Sequence, residues 1–384
     1  MTTVAALPGG VKSLWNHVKV RDGIEKPIID NTIFRFHYRI TTAIFVSCFV
    51  ILTLHELVDE SIVCLGSNNK IEEKPVEDAL KAVNSYCYMG YTYTEQVPKR
   101  WKMHEVGPYV QNSEKKKMNS FYRWVPIVLL IQSALFYIPH WIWKDWEGRK
   151  LDNLTKKLRG PSVKPKHENK VKILAKYCAD SLHTHNMYFW MYFFCEILNF
   201  VNLVFNIYMT DLLLDGQFMQ YGPEILPVTH IHQINRTDSV INIFPRITKC
   251  DFHRYGPSGS LQNYDYLCIL PINNVNEKIY IFLWFWFSFL VCVSVLPIIH
   301  NIAVFHFSFL RGMYLKKHAI FGEKHKIEDL VRKTQIGDFF LWDLIGRNLN
   351  SKCYRDFIKE LHALLIPHEM GELQHLRRNQ TDCF

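Results

Sequence analysis

The chain has 384 residues, of which 48% are apolar and 14% aromatic, and it carries a formal net charge of +9. So much aromatic surface excludes a solvated, disordered chain, and ten cysteines over this length are too sparse for a small disulfide-stapled secreted domain. The charged residues, 21% of the total, avoid a few long windows almost completely.

The first 30 residues form a polar lead containing Gly and Pro, so no cleavable signal peptide is expected and the first apolar run serves as the membrane-targeting element. Ile40–Leu54 is uncharged and extends to a span if Arg39 and Glu56 sit at opposite interfaces. Phe121–Trp143 carries one charge, Arg123, at its edge, and Met187–Leu214 carries two, Glu196 and Asp211. Ile279–Leu310 runs for 32 residues without Asp, Glu, Lys or Arg. A transmembrane helix needs roughly 20 predominantly apolar residues, whereas buried helices of soluble proteins show shorter runs. Trp124, Trp141, Trp143, Trp190, Trp284 and Trp286 crowd the window ends as interfacial belts do. The division expected is an N-terminal segment 1–36, spans 37–57, 121–143, 187–214 and 279–305, extracellular loops 58–120 and 215–278, a cytoplasmic loop 144–186 and a cytoplasmic domain 306–384.

Lys and Arg set the orientation. The 144–186 segment holds eleven and 215–278 holds five, which favours cytoplasmic termini, against the opposing Lys115-Lys116-Lys117. The basic charge is then mainly a topology signal. No basic stripe with interleaved aromatics marks a nucleic-acid partner.

Orientation sorts the cysteines. Cys64 and Cys87 fall in the first exterior loop and Cys250 and Cys268 in the second, on the oxidising side. Four cysteines allow three connectivities, between which the sequence alone does not choose. Intra-loop pairs close two separate loops, whereas inter-loop pairs, Cys64–Cys268 and Cys87–Cys250, tie both loops into one rigid exterior domain. Antiparallel stacking of the two loops favours the latter.

Within the first loop, Val76, Leu80 and Val83 repeat at helical spacing after Lys74-Pro75, with Cys87 at or just past the helix end. In the second, the turn cluster Arg254–Ser260 lies between β-like runs at Ile241–Phe244 and Tyr266–Leu270. Residues 151–182 and 324–366 read as amphipathic helices broken at Gly160-Pro161 and Gly346, with Ile327, Leu330, Val331, Ile336, Phe339 and Phe340 on an apolar face. The fold class is an all-α polytopic membrane protein: a four-helix transmembrane bundle, a disulfide-linked mixed α/β extracellular domain and a helical cytoplasmic domain.

Tyr122-Arg-Trp-Val-Pro126 resembles the Tyr-Tyr-Gln-Trp-Val signature of the innexins, the invertebrate gap-junction proteins. Segments Asn31–Thr42, Phe193–Phe200, Phe244–Cys250 and Asn276–Trp286 are similar to innexin segments of the insect branch, and two cysteines per exterior loop match as well. Phe121 and Arg123 depart from the first Tyr and the Gln of the signature, and residues 58–63 depart from the family's Gly-Asp-Pro-Ile-Ser run.

The resemblance implies a plasma-membrane homo-oligomer, an octameric ring around one pore. It docks with a hemichannel of the apposed cell, contacts membrane lipids and passes ions and small metabolites passively; other innexins are candidate co-subunits, and homomeric and heteromeric assembly both stay open. By the same resemblance the segment from Thr2 narrows the cytoplasmic pore mouth, with Thr2, Thr3 and Val4 as its lining. Asp59 and Glu60 are candidates for acidic rings that enrich cations. Tyr122, Trp124, Val125 and Pro126 are the signature residues, and Pro126 is a candidate gating hinge because proline removes an intrahelical bond. Glu196 and Asn199, with Asn202 and Asn206, form an intramembrane polar stripe, read as helix–helix packing in preference to an ion path. His17, His183, His185 and His300 are candidates for acid-dependent closure. Asn235 heads a glycosylation sequon in the second exterior loop, where a glycan would block docking.

No nucleophile–base motif, zinc signature or nucleotide loop appears, so no enzyme, catalytic residue, metal or cofactor is expected. The alternatives to a docked channel are an undocked hemichannel releasing metabolites and a non-conducting tetraspan adhesion or scaffold protein.

Overall fold

The four apolar windows form four helices long and apolar enough to cross a membrane: α1 (Thr32–Val58), α3 (Val125–Glu147), α6 (Asn186–Leu213) and α7 (Pro271–His306). The structure is a computed structural model and describes residues 26–65, 74–95, 116–119, 121–156, 158–159, 167–220, 243–318 and 324–366. The helices differ in extent from the apolar windows because polar residues serve their ends. Phe121–Arg123 form a 3-10 turn ahead of α3. Pro271 opens α7, where its missing N–H has no intrahelical acceptor to lose. Pro126 is the second residue of α3, where its missing N–H likewise costs no intrahelical bond. Pro139 and Pro297 do lie inside their helices.

The remaining elements are β1 (Val63–Leu65), α2 (Lys74–Met89), β2 (Thr92–Glu95), β3 (Lys116–Asn119), α4 (Lys150–Thr155), α5 (His167–Asp180), β4 (Ile247–Tyr255) and β5 (Leu261–Ile269). After α7 come α8 (Ser308–His318), α9 (Lys324–Lys333), α10 (Ile336–Asn348) and α11 (Ser351–Leu365). The chain divides into two compact units, one of residues 32–141 and 196–297, the other of residues 1–31, 142–195 and 298–384.

In the first unit the five strands form one antiparallel sheet in the order β1-β5-β4-β2-β3. β4 and β5 are a nine-residue hairpin turning at Gly256–Ser260, with Gly259 at φ 77° in the left-handed region that glycine tolerates. The expected strand at Ile241–Phe244 is not there: Ile243 and Phe244 precede the strand and are buried core, and 241–242 lie outside the described residues. The true strand, Ile-Thr-Lys-Cys-Asp-Phe-His-Arg-Tyr, is buried only at its base, so its outer half carries no apolar alternation to read. β1 follows α1 and β5 precedes α7, so the pairing of Cys64 with Cys268 in register joins the ends of two helices. One core runs from the four cysteines of the sheet through Phe45 and Leu52 of α1, Leu129 and Phe136 of α3, and Tyr280, Leu283 and Phe287 of α7.

The second unit is helical among the described residues. α10 is its centre, buried continuously from Ile336 to Gly346, and Ile327, Leu330, Val331, Phe339 and Phe340 are core, as their spacing indicates. Gly346 does not break a helix. It lies inside α10, and a Cβ there would meet the His318 ring at 2.9 Å, so the glycine permits a close approach of α8. The breaks fall at Thr334-Gln335 and Leu349-Asn350. Asn350 caps α11, its side chain accepting from the Lys352 N–H. Trp143 is wholly buried and donates to the Ile29 carbonyl at 3.0 Å, so it is a core residue and no part of an interfacial belt. Trp124, Trp141 and Trp190 are exposed.

Candidate functional site

The sheet unit holds the cysteines, the signature residues and the acidic pair. Cys64 is bonded to Cys268 and Cys87 to Cys250, closing separations of 204 and 163 residues. Both bonds join a segment between α1 and α3 to one between α6 and α7. Cys87 lies within the last turn of α2, whose inner face buries Val83. All four cysteines are buried, which shields the bonds from reductant and ties α2 to the sheet.

Asn84, one turn before Cys87 on α2, bridges two chain segments. Its Oδ1 accepts from the Cys64 backbone N–H at 2.9 Å, and its Nδ2 donates to Glu60 at 3.1 Å. Asp59 ends α1 in an extended conformation, 62% exposed, with His55 at 3.6 Å one turn back. Glu56 accepts from the Tyr88 hydroxyl at 3.2 Å, and burial together with the Glu56 charge pushes that phenol up to about 12. Three acids thus stand at one helix end, and two of them are held by α2. Sequence reasoning missed Asn84 and Tyr88; their i, i+4 spacing on α2 is the only signal the chain offers.

The signature residues connect the same parts. Tyr122 is buried against Tyr88, with ring centroids 5.9 Å apart, and burial pushes its phenol up. The Arg123 guanidinium donates to the Met89 carbonyl at the end of α2. Val125 is fully buried and Trp124 faces outward. Phe121, Phe244 and Tyr280 continue an aromatic column beneath the sheet, each pair 5.5 Å apart. Glu277, buried near the start of α7, binds both Arg246 and Lys278 at 2.9 Å.

Along the helices the polar stripe of α6 faces α3. Gln132 donates to the Thr210 hydroxyl at 2.8 Å and to the Asn206 carbonyl at 3.3 Å, and Asn202 donates to the Leu135 carbonyl at 3.2 Å. Glu196 and Asn199 are buried, and the Asn199 amide has no hydrogen-bond partner among the described residues. A turn of π-helix interrupts α1 at Phe36–Thr41, a feature without a sequence signal. There Tyr38 stacks on His140 with centroids 3.6 Å apart, Trp286 donates to the Thr41 hydroxyl at 3.0 Å, and His37 pairs with Ser294 at 2.8 Å.

In the helical unit His183 and His185 meet Asp338. The buried carboxylate accepts from the His183 backbone N–H at 3.0 Å and from His185 Nδ1 at 3.3 Å. The Cys178 thiol is pushed up to about 12 by burial and by the Asp338 charge, so it is not a reactive thiol. Asp343 binds His318 at 3.0 Å and Arg347 at 2.6 Å. Burial alone would raise that carboxyl, but these two partners hold it below the usual carboxylate range. His300 pairs edge-on with Tyr314, with centroids 4.7 Å apart. Thr2, Thr3, Val4, His17 and Asn235 lie outside the described residues.

The family model described as Innexin matches residues 30–365. The chain is similar to innexin inx3 of Drosophila melanogaster, 39% identical over 367 residues that cover 94% of this chain and 91% of the relative. It is 38% identical to innexin inx2 of the same fly over 347 residues, 88% of this chain and 92% of the relative. Innexin inx2 of Schistocerca americana is 36% identical over 347 residues, 88% of this chain and 94% of the relative.

Proposed function

The chain belongs to the innexin family, the gap-junction channel subunits of insects, and on that premise we propose that copies of it form an octameric ring in the plasma membrane. Two rings from apposed cells dock into one passive conduit for ions and small metabolites. A pore between subunits follows from scale, since four helices packed around their own core leave no wide aqueous path within one copy. Both termini and the 144–186 segment face the cytoplasm, and the loops 58–120 and 215–278 face the extracellular gap. The observation that carries this sidedness is the pair of buried disulfides tying the two loops on one side of the four helices, because such bonds persist on the oxidising side of a membrane. The excess of Lys and Arg in 144–186 points the same way.

In the docked channel the sheet unit is a braced platform. The disulfides hold β1 and α2 to the hairpin, so the docking surface does not need to order itself on contact. Asp59 and Glu60 line the outer mouth of the pore and concentrate cations there, Glu60 being aimed by Asn84. Thr2, Thr3 and Val4 line the cytoplasmic mouth. Glu196 and Asn199 belong to the packing seam between α6 and α3, where the Gln132 and Asn202 amides make interhelical bonds. A glycan on Asn235, where the sequon is used, keeps the ring undocked.

The test is junctional conductance between paired cells that both express the chain, with single-cell membrane current and surface labelling recorded alongside. Junctional current that is lost in Cys64→Ser, Cys268→Ser is the expected result. Single-cell current without coupling moves the reading to an undocked hemichannel, and surface protein with neither current overturns conduction by this chain alone.

A further inference from the structure

The last turns of α7 and the outer face of α8 leave a continuous apolar stripe uncovered in the helical unit. It runs through Ile299, Ile302 and Phe305 to Phe307, Phe309 and Met313, and Phe309 is 79% exposed. The opposite face of α8, with Gly312 and Leu315, is buried and packs on α9 and α10. Exposure of the outer face is therefore not a loose helix end but one side of a helix already held by its other side.

Helix length says what covers that face. The polar opening of α7 ends at Lys278, and the uncharged run from Ile279 to His306 spans about 42 Å at about 1.5 Å per residue. A bilayer including its headgroups measures about 40–45 Å. If Ile279 enters at one surface, the break at Phe307 falls at the level of the opposite headgroups, and α8 begins there. Trp190, exposed and 5.6 Å from Phe305 by ring centroids, marks the same level as an interfacial aromatic. Two turns beyond Phe309 the stripe ends on Lys317, an exposed cation that forms no ion pair among the described residues, whereas its neighbour Lys316 is spent on Glu328. Phe309, Met313 and Lys317 follow at i, i+4 and i+8, one face of the helix.

We propose that α8 is an interfacial helix whose outer face, Phe309, Met313 and Lys317, lies among the headgroups of the bilayer and binds anionic phospholipid through Lys317. The apolar pair inserts at the acyl boundary, and the lysine stem lies along it with its ammonium toward the phosphates. A second copy of the chain is the other occupant such a face could take. The lysine that closes the stripe argues against it, because the helical segments 144–186 and 311–384 both carry more Lys and Arg than Asp and Glu. The inference goes beyond the channel reading and stands whether or not rings dock.

The test places a photoreactive p-benzoylphenylalanine at Phe309, and separately at Met313, in the full chain. Each is reconstituted into nanodiscs of phosphatidylcholine with a minority of phosphatidylserine, and a third at the exposed Lys352 serves as control. Illumination followed by mass spectrometry is expected to give lipid adducts at both α8 positions and none at the control. Phosphatidylserine should exceed its mole fraction among the adducts by roughly fivefold, the enrichment one lysine near a surface provides. Lys317→Gln should return it to the mole fraction, and this surface change leaves the fold intact. Adducts to peptides of a second copy, no adduct at all, or lipid adducts without headgroup preference would each overturn the proposal.

Discussion

Gly337 has no room for one more carbon: a Cβ there would lie 2.2 Å from the His185 carbonyl oxygen, a backbone atom that cannot swing aside. Its own N–H donates to Asn186 at 3.2 Å, which fixes the start of α10 against the start of α6. Gly337→Ala is therefore expected to destabilise the helical unit by about 1–3 kcal/mol, the range for an overpacked core, seen as a lower melting temperature of the purified chain. Asn84 is sensitive for the opposite reason, since removing its amide leaves the Cys64 N–H without its acceptor. Asn84→Leu should cost about 1–2 kcal/mol and release Glu60, so the same variant lowers both thermal stability and cation preference. Neither role is visible in sequence. An asparagine four residues before a tyrosine on an amphipathic helix is an ordinary surface pattern until the register of β1 brings Cys64 to it.

At the scale of elements, α10 contributes to the pH dependence of the helical unit through Asp343. The Asp343 carboxyl sits below its ordinary range when folded, held there by His318 and Arg347 against the effect of burial. A depressed carboxylate contributes stability above the unfolded value of about 3.9, and the contribution is lost as pH falls through the lower folded value. Asp343→Asn should thus cost about 1–3 kcal/mol near neutrality and flatten the acid limb of the melting temperature below about pH 4, measured by scanning calorimetry across pH. The sheet responds to chemistry rather than pH: with Cys64→Ser and Cys268→Ser the expected loss is roughly 2–5 kcal/mol, read as aggregation or failure to reach the surface. The helices of this unit were legible from apolar spacing, but their breaks were not. Gly346 looks like a terminator by composition, yet its meaning is the His318 ring lying against it. β4 escaped notice because half of it projects beyond the core, and a strand without a buried face shows no alternation.

For the whole molecule, the acids at the end of α1 predict selectivity. Neutralising Asp59 and Glu60 together should lower the cation-over-anion permeability ratio roughly twofold, measured as a shift in reversal potential under a salt gradient. Surface expression should not change, because Asp59 is mostly exposed and Asn84 retains its bond to Cys64 without Glu60.

Length and hydropathy by themselves determined that four helices are long and apolar enough to span a membrane, because a bilayer-crossing run has a minimum length and few charges. Compartment chemistry limited the cysteine question to three connectivities. Only the tertiary structure decided the rest. β1 and β5 come together across 204 residues, and no local pattern encodes which strands pair over such a distance. The same holds for Asp338, which joins His183 and His185 from 153 or more residues away, and for the π-turn, which rests on packing between α1, α3 and α7. Periodicity reports which face of an element is buried; only packing reports what that face meets.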